Sequence, residues 1–392
     1  MIKLIKGVKI FSPDYLGEGD ILIICDKIGA VSKFIDIDKI AEVELEIIDG
    51  TNKIAVPGFI DSHVHISGGG GEGGYKTRTP EIMLSDLIIG GITTVVGCLG
   101  TDGITRSMEG LLAKARGLEE EGITAYIYTG SYRVPITTIT GSVMKDIMLI
   151  DKVIGAGEIA ISDHRSSQPT IDMIMQLVAD ARVAGILSGK AGIVNFHLGE
   201  GGRMLNYLHE IVIKTEIPYT QFLPTHINRN EQLLNEGIKF AKAGGFIDFT
   251  TSSDSVFWEK GEVKASKALK LCIEEGVDIN HITFTSDGQG SLPMFNDKKE
   301  FIGLGIGKVT SLYYEVRDAI IEDNVPFEKA IRVITSNPAF LLKLKNKGRI
   351  EKGFDADIVL VDKETLDIDT VIAKGQVMMQ NKELKIRGTF EN

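Results

Sequence analysis

The chain has little that could crosslink it and little that could anchor it. Its 392 residues hold three cysteines, Cys25, Cys98 and Cys272, widely spaced and each inside an apolar segment. An odd, scattered set excludes a disulfide framework; it predicts buried free thiols in a reducing compartment and no zinc held by cysteine. Positive charge is also in deficit, with a formal net charge of −11 and no local basic cluster, which argues against nucleic-acid and anionic-membrane partners. No apolar run approaches transmembrane length. The opening Met1-Ile-Lys-Leu-Ile-Lys-Gly-Val-Lys interleaves lysines with apolar residues and has no signal-peptide core, so a cytoplasmic protein is expected. Apart from the loop Gly68 to Gly74, internal repeats, low-complexity tracts and long linkers are absent as well.

What remains is ordinary globular composition, 43% hydrophobic and 25% charged, in a chain long enough for one large barrel or for two or three domains. Residues 1–53 read as short strands and turns: Val8 to Phe11, Asp20 to Cys25, Gly29 to Phe34 and Glu44 to Asp49. From Ile54 the texture changes to apolar strands alternating with helix-period segments. The strands fall at 54–60, 92–98, 124–130, 158–162, 192–197, 219–224, 246–251 and 282–286. Thr79 and Pro80 read as an N-cap with a first-turn proline, and Gly91, Gly122, Gly245 and Gly276 as helix closures before the next strand. Eight βα units in this length fit an α/β fold of the (β/α)8, TIM-barrel type better than an open doubly wound sheet. After residue 345 the β texture returns. The expected organisation is a small β-sandwich domain made from both termini, residues 1–53 and 346–392, around a catalytic barrel at 54–345.

A barrel of this kind carries its working residues at the carboxyl ends of its strands. The first strand runs into Asp61-Ser-His63-Val-His65, and residues two apart on a strand point the same way, so two imidazoles converge. The fifth strand ends in His197, the sixth in His226 and the eighth in Asp287. Any one of these alone reads more simply as a hydrogen-bonded core residue. Four histidines and an aspartate at corresponding strand ends read as a metal site, and they exceed what one tetrahedral zinc needs. The count suits two divalent ions, provided a carboxylate bridges them. Glu158, in the otherwise apolar fourth strand, is the expected bridge, because burying a carboxylate there requires a counter-charge. His209 and His281 read as structural or surface residues, and His164 is ambiguous.

The arrangement resembles the metal-dependent amidohydrolases, and among them the bacterial isoaspartyl (β-aspartyl) dipeptidases. The resemblance runs through Gly58-Phe-Ile-Asp-Ser-His-Val-His with the glycine run ending in Glu72, Val96-Gly-Cys-Leu-Gly-Thr101, Thr129-Gly-Ser-Tyr-Arg-Val-Pro135, Ile161-Ser-Asp-His-Arg165, Pro224-Thr-His-Ile-Asn-Arg-Asn230 and Ser286-Asp-Gly-Gln-Gly-Ser291. It implies a hydrolase of β-aspartyl dipeptides with two zinc ions. His63, His65 and Asp287 would hold one ion, and His197 and His226 the other. Glu72 would take the substrate's α-ammonium, and Arg165 and Arg229 its carboxylates. Tyr132 would stabilise the oxyanion, while Gly70, Thr101 and Ser291 line the substrate pocket. Asp287 would also carry the proton from the attacking water to the leaving amine. The resemblance further implies a homo-oligomer, with an octamer as one form.

One position departs from the family pattern, in which the fourth strand commonly presents a carbamylated lysine. Seven residues before Arg165 this chain has Glu158, and no lysine is close enough to replace it. Glutamate brings the same two oxygens on a shorter stem and needs no carbon dioxide. Strand four would then have to approach the metals more closely, which Gly155 and Gly157 would permit. Without the resemblance, Glu72 could equally be an exposed loop charge, Arg165 and Arg229 solvated arginines, and Tyr132 core packing. The run Gly68 to Gly71 lacks a following Gly-Lys-Ser/Thr and reads as a lid or a close backbone approach to substrate, not a phosphate cradle. Another amidohydrolase acting on cyclic amides or N-acyl amino acids shares the metal pattern, and a non-catalytic barrel scaffold is the more distant alternative.

Overall fold

The computed structural model describes residues 2–36, 44–253, 255–259, 261–295 and 301–391. At the N-terminus β1 (Ile2–Phe11), β2 (Tyr15–Ile24), β3 (Lys27–Ser32), β4 (Leu45–Asp49) and β5 (Lys53–Pro57) build one half of a sheet. Eight strands follow in parallel: β6 (Phe59–Val64), β7 (Ile92–Gly97), β8 (Thr124–Thr129), β9 (Val153–Ile161), β10 (Ile193–Leu198), β11 (Phe222–Thr225), β12 (Ile247–Thr250) and β13 (Ile282–Thr285). A hairpin, β14 (Ser291–Phe295) and β15 (Phe301–Ile306), leaves the end of β13. The C-terminal strands β16 (Ile358–Asp362), β17 (Ile368–Ala373), β18 (Gln376–Gln380) and β19 (Glu383–Leu384) return to the first sheet. Its path is β19-β18-β17-β16-β5-β1-β2-β3, with β4 beside β1, so strands from both ends of the chain share one nine-stranded sheet.

The barrel strands pair as a run of six, β6 to β11, and a run of two, β12 and β13. Two seams join these runs. Val64 bridges Gly288 in parallel, with His65 N donating to Gly288 O at 2.9 Å. On the other side the side-chain amide of Asn228 stands in for a strand: Thr250 N donates to its Oδ1 at 2.9 Å and its Nδ2 donates to Thr250 O at 3.0 Å. Ile60, Val96, Tyr128, Ile193 and Leu223 pack into one interior cluster, plugged by Ala339, Leu341 and Leu342 near the last helix. Tight cluster packing of this kind holds the strand ends in fixed register.

The helices outside the strands start on caps that the sequence carries: Ser107, Ser142, Thr170 and Asn230 each accept the backbone N–H three residues on. In Glu231–Lys242 the buried positions Leu233, Leu234, Gly237, Ile238 and Ala241 recur at helical spacing and face the barrel. Among the described residues no helix is long and apolar enough to cross a membrane.

The structure corrects several local expectations. The apolar run 54–60 is two strands divided at Gly58: Lys53–Pro57 pairs with β16 and β1 in the terminal sheet, and only Phe59–Val64 belongs to the barrel. A Cβ at Gly58 would lie 2.2 Å from Thr93 Oγ1, so the crossing needs glycine. Strand four begins at Val153 and contains Glu158 in its interior, and strand six starts at Phe222, after a 3-10 turn at Tyr219–Gln221. Thr79 caps no helix; the next helix is Leu84–Ile89, and Thr79 Oγ1 instead accepts from Gly69 N at 2.6 Å and donates to Gln289 O at 2.6 Å. Gly91, Gly122 and Gly276 do turn the chain at φ of 73°, 117° and 78°, but before β12 the left-handed residue is Gly244, not Gly245. Cys98 and Cys272 are buried, whereas Cys25 is exposed in the turn after β2.

Candidate active site

Glu158 reaches the barrel mouth because its strand lies close against the next one. A Cβ at Gly155 would stand 2.6 Å from Ile193 O, and one at Gly157 2.9 Å from both Asn195 Cβ and Asn195 O. Two glycines at alternate positions therefore let β9 press onto β10. The Glu158 carboxylate then lies among all four strand-end histidines. Its Oε2 is 3.3 Å from His63 Nε2, 3.2 Å from His197 Nδ1 and 3.8 Å from His226 Nε2, and its Oε1 is 3.6 Å from His65 Nε2. Asp287 Oδ1 is 3.0 Å from His65 Nε2 and 3.7 Å from His63 Nε2. The six metal residues expected from the sequence thus converge in one cage.

The cage is a tightly coupled set of acids and bases: against burial, Cys98 and Glu158 hold His63 well above the ordinary imidazole value, and Cys98 and Asp287 do the same for His65. Burial would raise the Glu158 carboxyl, but the surrounding histidines hold it well below the ordinary carboxylate range, and Asp287 is depressed against burial by His65. Burial, with the charge of His197 adding to it, pushes His226 down to about 3, so it presents a neutral imidazole. Both ring nitrogens of His63, and Asp287 Oδ1, are buried and make no well-aligned hydrogen bond among the described residues, although His63 Nε2 lies 3.3 Å from Glu158 Oε2 and Asp287 Oδ1 3.0 Å from His65 Nε2. Leaving such atoms unsatisfied is costly, and a divalent ion would satisfy one His63 nitrogen and Asp287 Oδ1 together. The donors present therefore fit the metal implied by the strand-end pattern. Two groups of ligand atoms lie within mutual reach, His63, His65, Cys98 and Glu158, and Glu158, His197 and His226; the first holds Cys98 where the expected set had Asp287. Cys98 is closer than expected: its sulfur lies 3.8 Å from His65 Nδ1.

Each remaining ring nitrogen has its own holder in three of the four histidines. His226 Nδ1 is 2.5 Å from Thr250 Oγ1, His65 Nδ1 faces Cys98, and His197 Nε2 is 3.0 Å from Asp163 Oδ2. Such outer contacts fix which nitrogen faces a metal. Asp163 escaped the sequence reading. The only signal for it was an acidic residue two places before Arg165, in the loop leaving the strand that carries Glu158.

Above the cage opens a cavity of about 560 Å³ whose wall includes Gly70, Glu72, Thr101, Tyr132, Arg165, Arg229 and Ser291, all seven expected substrate residues. Thr101 Oγ1 donates to Glu72 Oε1 at 2.9 Å, Ser291 Oγ to Glu72 Oε2 at 3.1 Å, and Arg165 Nη1 stands 3.3 Å from Glu72 Oε1. The Tyr132 hydroxyl is 2.9 Å from His197 Nδ1, at the boundary of cage and cavity. Burial pushes its phenol well above the usual value, so it remains a donor at neutral pH. Glycines 68 to 71 are tied down, because the Arg106 guanidinium binds Gly69 O and Thr79 O at 3.1 and 2.8 Å. At Gly70, with φ 68°, a Cβ would meet Thr77 O at 2.7 Å and Ser291 Cβ at 3.2 Å, so glycine is required there by the protein's own packing.

The other histidines lie outside the cage. His209 Nδ1 meets the Tyr219 hydroxyl at 3.1 Å, and His281 stacks on Phe246 with Nδ1 2.8 Å from Gly245 O. His164 lies exposed at the cavity mouth.

Comparison with known proteins gives a consistent picture. The amidohydrolase family pattern matches residues 54–378. The crystal structure of a β-aspartyl dipeptidase from Fervidobacterium islandicum AW-1, in complex with β-Asp-Leu, is 50% identical and superposes with a TM-score of 0.92, covering 100% of this chain and 99% of that one. A D-hydantoinase structure, 16% identical with a TM-score of 0.68 over 100% of this chain and 98% of that one, shares the fold alone. The adenine deaminase of Listeria welshimeri is 26% identical over 97% of this chain, which spans 57% of that relative's length.

Proposed function

The chain belongs to the amidohydrolase family, and from that premise we propose that it is a metal-dependent hydrolase cleaving the isopeptide bond of β-aspartyl dipeptides. One observation carries the substrate: Glu72 and Arg165 stand side by side, 3.3 Å apart, on the wall of a cavity that opens over the histidine cage. In a β-linked aspartyl residue the α-ammonium and the α-carboxylate are both free and share one carbon. An adjacent anion and cation match that head group, and the arginine fork suits its carboxylate. An α-linked aspartyl dipeptide has no free carboxylate on that carbon, and a cyclic amide or N-acyl amino acid has no free ammonium. Each would leave one of the two charges unpaired, which disfavours binding. Arg229, on the same wall, is assigned the carboxylate of the second residue, and Ser291, Thr101 and Gly70 frame the head group. The similarity to the dipeptide-bound structure supports the same reading.

Two divalent ions, zinc in our reading, would be held by His63, His65 and Asp287 on one side and His197 and His226 on the other, with Glu158 shared, and would supply a Lewis acid and a water of lowered pKa. Asp287 is held anionic at the cage, with Oδ1 3.0 Å from His65 Nε2, so it is the group to accept the proton of the attacking water and return it to the leaving amine. Tyr132 donates to the carbonyl oxygen as negative charge develops there.

The finer expectations are part of the same proposal. The terminal sheet is read as folded into a sandwich, because Ile5, Ile21 and Ile23 from one half share a cluster with Ile358, Leu360 and Ile372 from the other. It is read as a domain of residues 1–53 and 346–392 beside the barrel at 54–345, with β5 passing its border. Buried free thiols at Cys98 and Cys272 suit a reducing cytoplasm. Homo-oligomerisation, up to an octamer, rests on the resemblance alone, and sedimentation measures it.

The experiment is a substrate panel on the zinc-loaded protein: β-Asp-Leu, α-Asp-Leu, a hydantoin and N-acetyl amino acids. Turnover of β-Asp-Leu with kcat/KM at least about 100-fold above the others is expected, equivalent to about 2.7 kcal/mol. Comparable turnover of the α-linked isomer would contradict the head-group argument.

A further inference from the structure

Asp163 touches both halves of the site. It lies directly beyond β9, where Ser162 turns the chain at φ 54°. The carboxylate is buried, 7% exposed, and makes four hydrogen-bonding contacts, with the exposed His164 Nδ1 3.6 Å from Oδ1. Its Oδ1 accepts from Arg165 N at 2.7 Å and Arg165 Nε at 3.0 Å; its Oδ2 accepts from Arg165 Nη2 at 2.8 Å and faces His197 Nε2 at 3.0 Å. The fold makes room for this. A Cβ at Gly199, two residues past His197, would stand 2.6 Å from Asp163 Cα, and one at Gly201 2.6 Å from Ser162 O. Glycines at the end of strand five therefore let the loop after strand four close over it. The Asp163 backbone carbonyl is held in turn by Gln168 Nε2 at 3.0 Å.

We propose that Asp163 is a positioning residue that ties substrate-carboxylate recognition to the metal cage, aiming Arg165 and fixing His197 with one carboxylate. The inference rests on the dipeptidase reading above and extends it to how the two parts of the site are held together. Arg165 Nη2 also lies 3.2 Å from His197 Nε2, but the carboxylate at 3.0 Å is the acceptor there and keeps the proton on Nε2, so the lone pair of Nδ1 faces Glu158 Oε2 at 3.2 Å, inside the cage. The same carboxylate grips the Arg165 fork at Nε and Nη2, leaving Nη1 directed to the cavity beside Glu72. Arg165 also lies over the Tyr132 ring at 5.4 Å, so its guanidinium is confined on two sides. A displacement of Asp163 therefore changes the arginine that receives substrate and the imidazole that receives metal together. Because couplings between binding equilibria are reciprocal, any factor by which metal loading changes substrate affinity through Asp163 is the factor by which substrate changes metal affinity.

The test compares Asp163→Asn with Arg165→Met by Zn2+ titration of the metal-free protein against a chromophoric chelator and by steady-state kinetics on β-Asp-Leu. Asp163→Asn is expected to weaken the weaker-bound zinc 10- to 100-fold, the usual effect of losing an outer partner of a metal histidine, and to raise KM at least about 10-fold. Arg165→Met is expected to raise KM similarly with zinc affinity unchanged. Wild-type zinc affinity in Asp163→Asn would overturn the proposal, as would equal zinc loss in Arg165→Met, which would assign the effect to the arginine's own 3.2 Å contact with His197 Nε2 or to general loosening of the loop. If Asp163→Asn does not fold, Asp163→Glu replaces it: the added methylene parts the carboxylate from one of its partners, and unchanged zinc affinity together with unchanged KM would count against the proposal. The zinc comparison needs no turnover. A wild-type protein that binds zinc but leaves β-Asp-Leu intact refutes the dipeptidase reading, while the metal titration still decides the role of Asp163.

Discussion

Replacing Tyr132 by phenylalanine separates catalysis from binding more cleanly than any other change in the site. The tyrosine is 5% exposed, and its hydroxyl lies 2.9 Å from His197 Nδ1, where the carbonyl oxygen of a substrate would meet the cage. The ring packs against Arg165 at 5.4 Å, and phenylalanine keeps that contact and the arginine's aim. The cost to the fold is one hydrogen bond, about 1 kcal/mol. The cost to the reaction is larger if the hydroxyl donates to the developing oxyanion, about 3–4 kcal/mol or 10²- to 10³-fold in rate. Steady-state kinetics on β-Asp-Leu, with zinc content measured on the same preparation, should therefore give kcat reduced by that factor, KM within a few-fold and metal unchanged. A raised KM with kcat intact would make Tyr132 a binding residue and refute the reasoning.

Three further expectations test other parts of the account. Asp287→Asn should lose most turnover, because an amide cannot carry the proton, while zinc titration still finds bound metal; an active variant would rule out the proton role. Metal-free protein reconstituted with zinc in carbon-dioxide-free buffer should regain full activity, since Glu158 brings its carboxylate ready-made, whereas dependence on added bicarbonate would point to a carbamate elsewhere. Glu315 supplies a pH-linked expectation. Burial pushes its carboxyl up to about 7 from an ordinary 4.5, although Ser266 N donates to it. Between these values the folded state holds a proton that the unfolded state does not, so stability falls as pH rises from 4.5 to 7 and the penalty persists above. The ceiling is about 3 kcal/mol. Thermal melts should show Glu315→Gln gaining on wild type from pH 5 to pH 8; a gap independent of pH would contradict this.

Much of the architecture was legible because strand-end chemistry and apolar runs coincide. His63, His65, His197, His226 and Asp287 each follow an apolar strand, and the barrel brings them together. The misreadings share a cause. Ile54 to Ile60 is apolar throughout, and hydrophobicity does not record that the chain changes sheets inside it; only Pro57-Gly58 hinted at the break. Thr79-Pro80 has the composition of a helix start, but Thr79 is used to tie the glycine loop to Gln289, a contact 210 residues away in sequence. Asp163 lies inside the quoted Ile161-Ser-Asp-His-Arg165 segment, but its role was not legible for the same reason, since its partner His197 comes from the next strand. Glu158 was legible as a buried charge, and the glycines that admit it were legible beside it. What they admit it to, a cage of four imidazoles, required the fold.

That cage is the core of the account, and it can be viewed directly. Crystals of the zinc-loaded protein, measured above and below the zinc absorption edge, should give two anomalous peaks of similar height with the Glu158 carboxylate between them, one beside His63 and His65 and the other beside His197 and His226. A single peak, or two peaks with Glu158 turned away from both, would contradict the shared-carboxylate centre from which the mechanism is built.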